Sequence, residues 1–308
     1  MKNYTTKVSV LIFCLIFLIG VFTSIGLSAT PAKLVPDTGA EDIPSLYDPT
    51  TPSEDKNDES SASSEEKDNP QNPDTNVPER FRTALQAYNY ASKYLDSSYG
   101  VYSETTGLTT ASVATQEIKG YKKIDRNGNL LVESTSRKTG SIGVNFAEKI
   151  YAPKNENKVY YKHTSSVNSD LTANYSNDTE HYTLEEYIKD FYILPNASNY
   201  IITKKTIVNS RIKFDAKTER YYGSFILNNN AVEVYKYKIK KSSGSTTVPE
   251  FKSITLDFVL DKYGRFLIIS TNEVCSATVV INMTITTKVK ETFKCYNNDK
   301  ITINQGEF

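Results

Sequence analysis

Apolar and polar residues alternate along much of the C-terminal third, and no other feature limits the fold so tightly. Ile254, Leu256, Phe258 and Leu260 alternate with Ser253, Thr255, Asp257 and Val259, Asp261-Lys-Tyr-Gly264 turns the chain, and Arg265 to Thr271 returns. Val279, Ile281, Met283, Ile285, Val289 and Phe293 then share one side, while Asn282, Thr284, Thr286, Lys288, Lys290, Thr292 and Lys294 share the other. Side chains of a strand point to opposite faces in turn, so one face meets a core and the other meets water, as in an antiparallel sheet. At ~3.3 Å per residue this last strand spans about 55–60 Å, longer than strands usually run. It is predicted to bend, to bulge, or to belong to a strongly curved sheet.

The same period recurs upstream. Val113 to Asp125 and Leu130 to Thr139 read as two strands joined by Arg126-Asn127-Gly128-Asn129, and Asn-Gly is the preferred pair for such a turn. Ser141 to Tyr151 and Lys158 to Thr164 read as another pair, and residues 165–180 as a polar loop. Val232 and Val234 fall out of phase with Tyr235, Tyr237 and Ile239, which predicts a strand with a bulge between 234 and 235. Two helices interrupt the pattern. Pro78 suits a first helical position, and Phe81, Leu85, Tyr88, Ala91, Ser92 and Leu95 follow at helical spacing. Thr183 and Glu186 have capping-box spacing ahead of Leu184, Tyr187, Ile188 and Phe191. The expected fold is mainly β with helices (α+β): about ten strands in a long, curved antiparallel sheet, half-barrel-like, with an N-terminal helix and a short helix packed on one face.

The residues before this domain are of two kinds. Lys2 and Lys7 precede an uncharged, largely apolar run from Val8 to Ala29, long enough to cross a bilayer as a helix. The charge lies on the N-terminal side, which keeps that end cytoplasmic and exports the rest. Residues 1–29 are thus a signal-anchor or a cleaved signal peptide. The length favours the anchor, because a signal peptide has a shorter apolar core. The protein is accordingly expected at the cell membrane, single-pass with its C-terminal domain outside, or secreted if the signal is removed. Cys14 lies in mid-run after Ile12 and Phe13, which does not suit a lipidation site. Residues 30–77 form an acidic, Pro-, Ser- and Asn-rich stretch expected to be a disordered linker. Between 31 and 77 twelve carboxylates face three lysines, so the chain's zero formal charge divides into an acidic linker and a basic domain of 31 bases and 24 acids over 78–308. A basic domain favours anionic partners such as lipid headgroups or cell-wall polymers, or serves solubility alone.

Catalytic chemistry finds little support. His163 and His181 have no second His or Cys at ligand spacing, no Ser lies in a nucleophile elbow, and no Gly-rich phosphate loop is present. Glu185-Glu186 suits a helix start better than an acid–base pair. No catalytic, metal or cofactor residue is assigned, and no nucleic-acid partner is expected. Cys275 and Cys295 are the pair available for a disulfide outside residues 1–29, but on one continuous strand they lie near opposite ends, so free thiols are expected. The four Asn-X-Ser/Thr matches at Asn174, Asn177, Asn196 and Asn282 are those that a chain rich in Asn, Ser and Thr yields by chance. The 22 tyrosines are expected mostly as cross-strand packing groups.

A helix first, long antiparallel strands next, then Leu256-Asp-Phe-Val-Leu-Asp-Lys-Tyr-Gly-Arg-Phe-Leu267, a long strand and Phe293-Lys-Cys-Tyr-Asn-Asn-Asp-Lys-Ile-Thr-Ile303: this order resembles the curved half-barrel of LolA-like lipoprotein carriers and related Gram-positive envelope lipoproteins. The resemblance covers about residues 78–304, rests on pattern, and lacks a lipobox. It implies a hydrophobic cavity between sheet and helices that takes an acyl chain or other apolar molecule, with Phe81, Leu85, Tyr88 and Leu95 facing it. The expected function is a membrane-tethered envelope protein that binds a lipid or apolar ligand. An adhesion or assembly module contacting another protein or wall polymer, and an enzyme without a recognisable motif, stay open as alternatives.

Overall fold

The computed structural model describes residues 81–111, 114–140, 145–243, 246–278 and 282–308. The apolar run from 8 to 29, the acidic linker and Pro78 lie outside these residues. Among the described residues no helix is long and apolar enough to cross a membrane.

In chain order the elements are α1 (Ala84–Ser97), β1 (Val101–Ala111), β2 (Ala114–Ile124), β3 (Leu130–Lys138), β4 (Phe146–Ala152), β5 (Val159–Thr164), β6 (Glu180–Tyr182), α2 (Leu184–Phe191), β7 (Ile207–Asp215), β8 (Arg220–Leu227), α3 (Tyr235–Ser243), β9 (Glu250–Leu260), β10 (Phe266–Thr278) and β11 (Asn282–Cys295). All strands join one antiparallel sheet of eleven in the order β6-β5-β4-β3-β2-β1-β11-β10-β9-β8-β7. This is two meanders, β1–β6 and β7–β11, fused where the first strand pairs with the last, Tyr102 opposite Cys295 through Ala111 opposite Ile285. The mainly-β, half-barrel architecture with helices on one face is therefore present.

Two turns are built alike. Asp125 Oδ1 accepts the amides of Asn127 (2.8 Å) and Asn129 (2.9 Å), and Asp261 Oδ1 accepts those of Tyr263 and Arg265 (2.9 Å each). Gly128 (φ +78°) and Gly264 (φ +81°) supply the left-handed residue each turn needs. The short helix forms as its sequence predicts: Thr183 Oγ1 accepts the Glu186 amide at 3.2 Å, and Glu186 Oε2 accepts the Thr183 amide at 2.8 Å.

Three expectations need correction. The first helix starts at Ala84, because Thr83 Oγ1 caps the Gln86 amide (3.1 Å) while Gln86 Oε1 takes the amide of Arg82 (3.0 Å). The out-of-phase stretch at 234 and 235 is no bulged strand. Asn229–Val232 is a 3-10 turn and Tyr235–Ser243 is α-helical, burying Tyr235, Lys238 and Ile239 at helical spacing. The phase change was the start of a helical period, which a short window does not separate from a bulge. The last long strand is also divided. β10 runs to Thr278 and β11 starts at Asn282, with Ala277 opposite Met283, so the alternation near 277–283 crosses a hairpin. From Met283 on, the core face is the one read from the sequence.

The inner face, on which α1 packs, carries two apolar clusters. Tyr88 stands edge-on to Phe225, Phe258 and Phe266 at 5.6, 5.5 and 5.3 Å between ring centres. Far across the sheet, Leu130, Val132, Ile150, Val159 and Tyr161 gather with Tyr187 of α2. On the outer face the C-terminal residues cover part of the sheet: Lys123 Nζ meets Glu307 at 2.6 Å, and the Phe308 ring lies against Tyr151 and Tyr160 at about 6 Å.

Candidate functional site: a polar strip on the inner face

Between the two apolar clusters the inner face changes character. Reading the register across the sheet, Glu291 (β11), Thr105 (β1), Gly120 (β2), Ser134 (β3), Glu148 (β4) and His163 (β5) stand side by side. Two steps along, beyond a row that holds Val289, Gly107 and Ile118, lie Glu273, Thr287, Thr109 and Gln116, and one step to the other side lie Ser103 and Lys122. In these polar rows all but Gly120 and His163 are buried. The residues are small or polar where the flanking positions are apolar (Phe293, Val289, Ile118, Val132, Ile150 and Ile254), so rows of hydrogen-bonding groups cross an otherwise apolar interior.

Three carboxylates dominate this strip. Glu291 accepts Ser103 Oγ at 2.5 Å and pairs with Lys122 Nζ at 3.2 Å, and its Oε2 has no hydrogen-bond partner. Lys122 Nζ also lies 5.5 Å from the centre of the Phe293 ring, whose negative face attracts the ammonium. Glu273 Oε1 accepts the Tyr200 hydroxyl, and its Oε2 likewise has no partner. Burial pushes the Glu273 carboxyl up to about 8, so it holds a proton at neutral pH. Glu148 accepts the Tyr161 hydroxyl at 3.4 Å and faces the ammonium of Lys238. Burial raises this carboxyl and lowers that lysine, and their mutual attraction opposes both shifts.

Helix α3 roofs the strip. Tyr235 at its start packs 6.0 Å from Phe251 and faces Cys275 on β10, while Lys238, one turn on, faces Glu148 on β4. Tyr200, from the segment joining the two meanders, covers the Glu273 end. Burial and the neighbouring Glu273 push the Cys275 thiol up to about 12, which keeps it protonated and unreactive. Cys275 stands opposite Ile285 and Cys295 opposite Tyr102, and both are free. Ten residues of β11 separate those levels, about 33 Å. His163 Nδ1 lies 3.3 Å from Glu180 at an exposed edge, and among the described residues no His, Cys, Asp or Glu group is arranged to hold a metal ion.

The residues singled out as ligand-facing in the sequence lie elsewhere. Phe81, Tyr88 and Leu95 are buried in the α1 cluster, and Leu85 is half-buried against it. Phe81 packs on Tyr90 and Tyr221 at 5.3 and 5.0 Å. The strip was missed although it left a trace: Thr287 and Glu291 interrupt the apolar face of β11. Ser103, Thr105 and Thr109 lie on β1, a strand whose Thr-rich sequence carries no apolar alternation.

No family model matches the chain, and no curated protein matches it. Solved structures give faint likenesses. A β-barrel-like protein of domain of unknown function DUF1849 from Brucella abortus is 9% identical over 64% of this chain and 99% of its own, with a TM-score of 0.25. Rv2717c from M. tuberculosis is 11% identical over 68% and 96%, with a TM-score of 0.21. The Pseudomonas aeruginosa MucA/MucB complex contributes a chain 6% identical over 67% and 93%, with a TM-score of 0.14. Likenesses this low carry no argument about function.

Proposed function

We propose that this chain is a membrane-tethered, non-enzymatic protein of the cell envelope whose half-barrel holds an amphipathic ligand along the polar strip of the inner face. The tether is the apolar run from 8 to 29, and everything after it lies outside the cytoplasm. The observation that carries the binding reading is the pair of carboxyl oxygens, Glu291 Oε2 and Glu273 Oε2, buried without a partner on the largely apolar inner face. Buried polar atoms are almost always hydrogen-bonded, so Glu291 Oε2, on the ion-paired carboxylate, marks a place where a donor belongs, and Glu273 Oε2, on a carboxyl that holds its proton, a place where an acceptor belongs. A ligand with hydroxyl groups at one end, which both donate and accept, and hydrocarbon at the other meets both the strip and its flanks.

The full chain, purified in mild detergent, tests this by native mass spectrometry and by extraction of what it carries. An amphipathic molecule that is retained by the wild type and lost or weakened about tenfold in Glu291→Gln or Glu273→Gln is the expected result. Such a loss corresponds to about 1.4 kcal/mol, the scale of one buried hydrogen bond. A chain that retains and takes up nothing refutes the reading.

A further inference from the structure

The outer face of the sheet is covered on one half and open on the other. Residues near the C-terminus lie over β2–β5. Over β1, β11, β10 and β9 a groove of about 610 Å³ remains open, lined among others by Lys288, Lys290, Ser270, Asn272, Thr106 and Asp257. Lys288 and Lys290 point to the same side of β11, about 7 Å apart. Thr106 stands between Lys290 and Lys119, which adds a third ammonium in the same row. Lys294, further along β11, is paired with Glu104 at 3.0 Å, whereas Lys288 and Lys290 have no ion-pair partner among the described residues. Two lysines against the one carboxylate of Asp257, with hydroxyl and amide groups and the exposed Leu108 beside them, leave the groove with net positive charge, which suits a run of carboxylates.

The chain carries such a run within reach. Glu65, Glu66, Asp68 and Asp74, against the single Lys67, lie shortly before Phe81. Phe81 sits at the β9–β10 turn: a Cβ on Gly264 would lie 2.9 Å from its ring. From that turn Ser270, in the groove, is about 20 Å along β10. Phe81 is buried against the inner face, so the chain first rounds the end of the sheet; extended, it reaches about 23 Å by Asp74, which brings that residue to the near end of the groove, and about 50 Å by Glu66, which spans it.

We propose that residues 65–74 of the same chain dock in this groove, their carboxylates pairing with Lys288 and Lys290. The contact is intramolecular, so weak ion pairs suffice, because the linkage holds the acidic run at an effective concentration in the millimolar range. It shortens the reach of the linker and occupies a face otherwise open to other anions. Salt releases it, since exposed pairs are screened within a Debye length.

Two measurements on the full chain test this. Zero-length carbodiimide coupling followed by peptide mass spectrometry should join Lys288 or Lys290 to Glu65, Glu66, Asp68 or Asp74 within one molecule. Cleavage by a Glu-specific protease at Glu65 and Glu66 should speed up about fivefold in Lys288→Glu/Lys290→Glu and in wild type at high salt, as expected for the loss of one or two exposed pairs. The milder Lys288→Gln/Lys290→Gln variant should move the same way, with an unchanged circular dichroism spectrum. Couplings spread evenly over the lysines, couplings only between molecules, or a cleavage rate that ignores the lysine changes would each overturn the proposal.

Discussion

Lys122 of β2 and Glu291 of β11 meet at 3.2 Å across β1, the strand that lies between them in the sheet. Ser103 of β1 donates to the same carboxylate, so one buried ion pair ties three strands together where the two meanders join. Both side chains are almost wholly out of water, so removing one strands the other's charge. Lys122→Met and Glu291→Leu should each cost about 3–5 kcal/mol in urea unfolding, while the double variant should lose far less. A double variant as unstable as the sum of the singles would show that the pair is not coupled.

Glu273 makes stability depend on pH in a defined direction. In the unfolded chain its carboxyl titrates near the ordinary 4.5, and in the folded protein near 8. Below 4.5 both forms hold the proton and there is no cost. Between 4.5 and 8 only the unfolded chain gives it up, so stability falls as pH rises and levels off above 8. Glu273→Gln, which needs no proton, should flatten this segment and stabilise the protein at pH 9 by up to about 5 kcal/mol. The measurement is urea unfolding of both proteins from pH 4 to 9.

Gly223 fixes how closely β8 and β9 pack. A Cβ there would lie 2.0 Å from Cζ of Phe258, whose ring is buried and in contact with Tyr88 and Phe225. Gly223→Ala should therefore destabilise by about 1–3 kcal/mol through displacement of that ring. Tyr88→Ala should cost about 3–5 kcal/mol by leaving a cavity under α1. Thermal or urea denaturation reads both.

The two thiols of the half-barrel should differ in reactivity. Cys295 is half-buried and should label slowly in the native protein, while Cys275, buried and held as a thiol, should label only after denaturation. Mass spectrometry of the labelled, unreduced protein resolves the two, and failure of both to label after denaturation would mean a bridge.

Local chemistry made some elements legible in the sequence and others not. The Asp125 and Asp261 turns, the Thr183 cap and the alternation of β9 and β11 are set by adjacent residues, and each could be read. β1 and β7 could not: Thr-rich β1 owes its place to pairing with β11, and β7 is an edge strand with no fully buried residue. Tyr-Lys-Tyr-Lys-Ile in α3 alternates like a strand, yet the segment is helical and turns Tyr235 toward Cys275 and Lys238 toward Glu148, partners that no local pattern reveals. The strip escaped for the same reason. Its members are scattered from Ser103 to Glu291, and only the register places them in rows on one face.

Because the first strand of the sheet pairs with the last, the order in which the chain is made matters. As synthesis proceeds, β1–β6 form one hairpin series and β7–β10 another, and each keeps a bare strand edge until β11 appears. Those edges belong to the centre of the finished sheet and lack the short length that protects β6. A chain stopped before residue 282 would thus present two long, unpaired, sticky borders, open to aggregation or to a chaperone. The 14 residues of β11 act as a late closing piece that covers both borders at once.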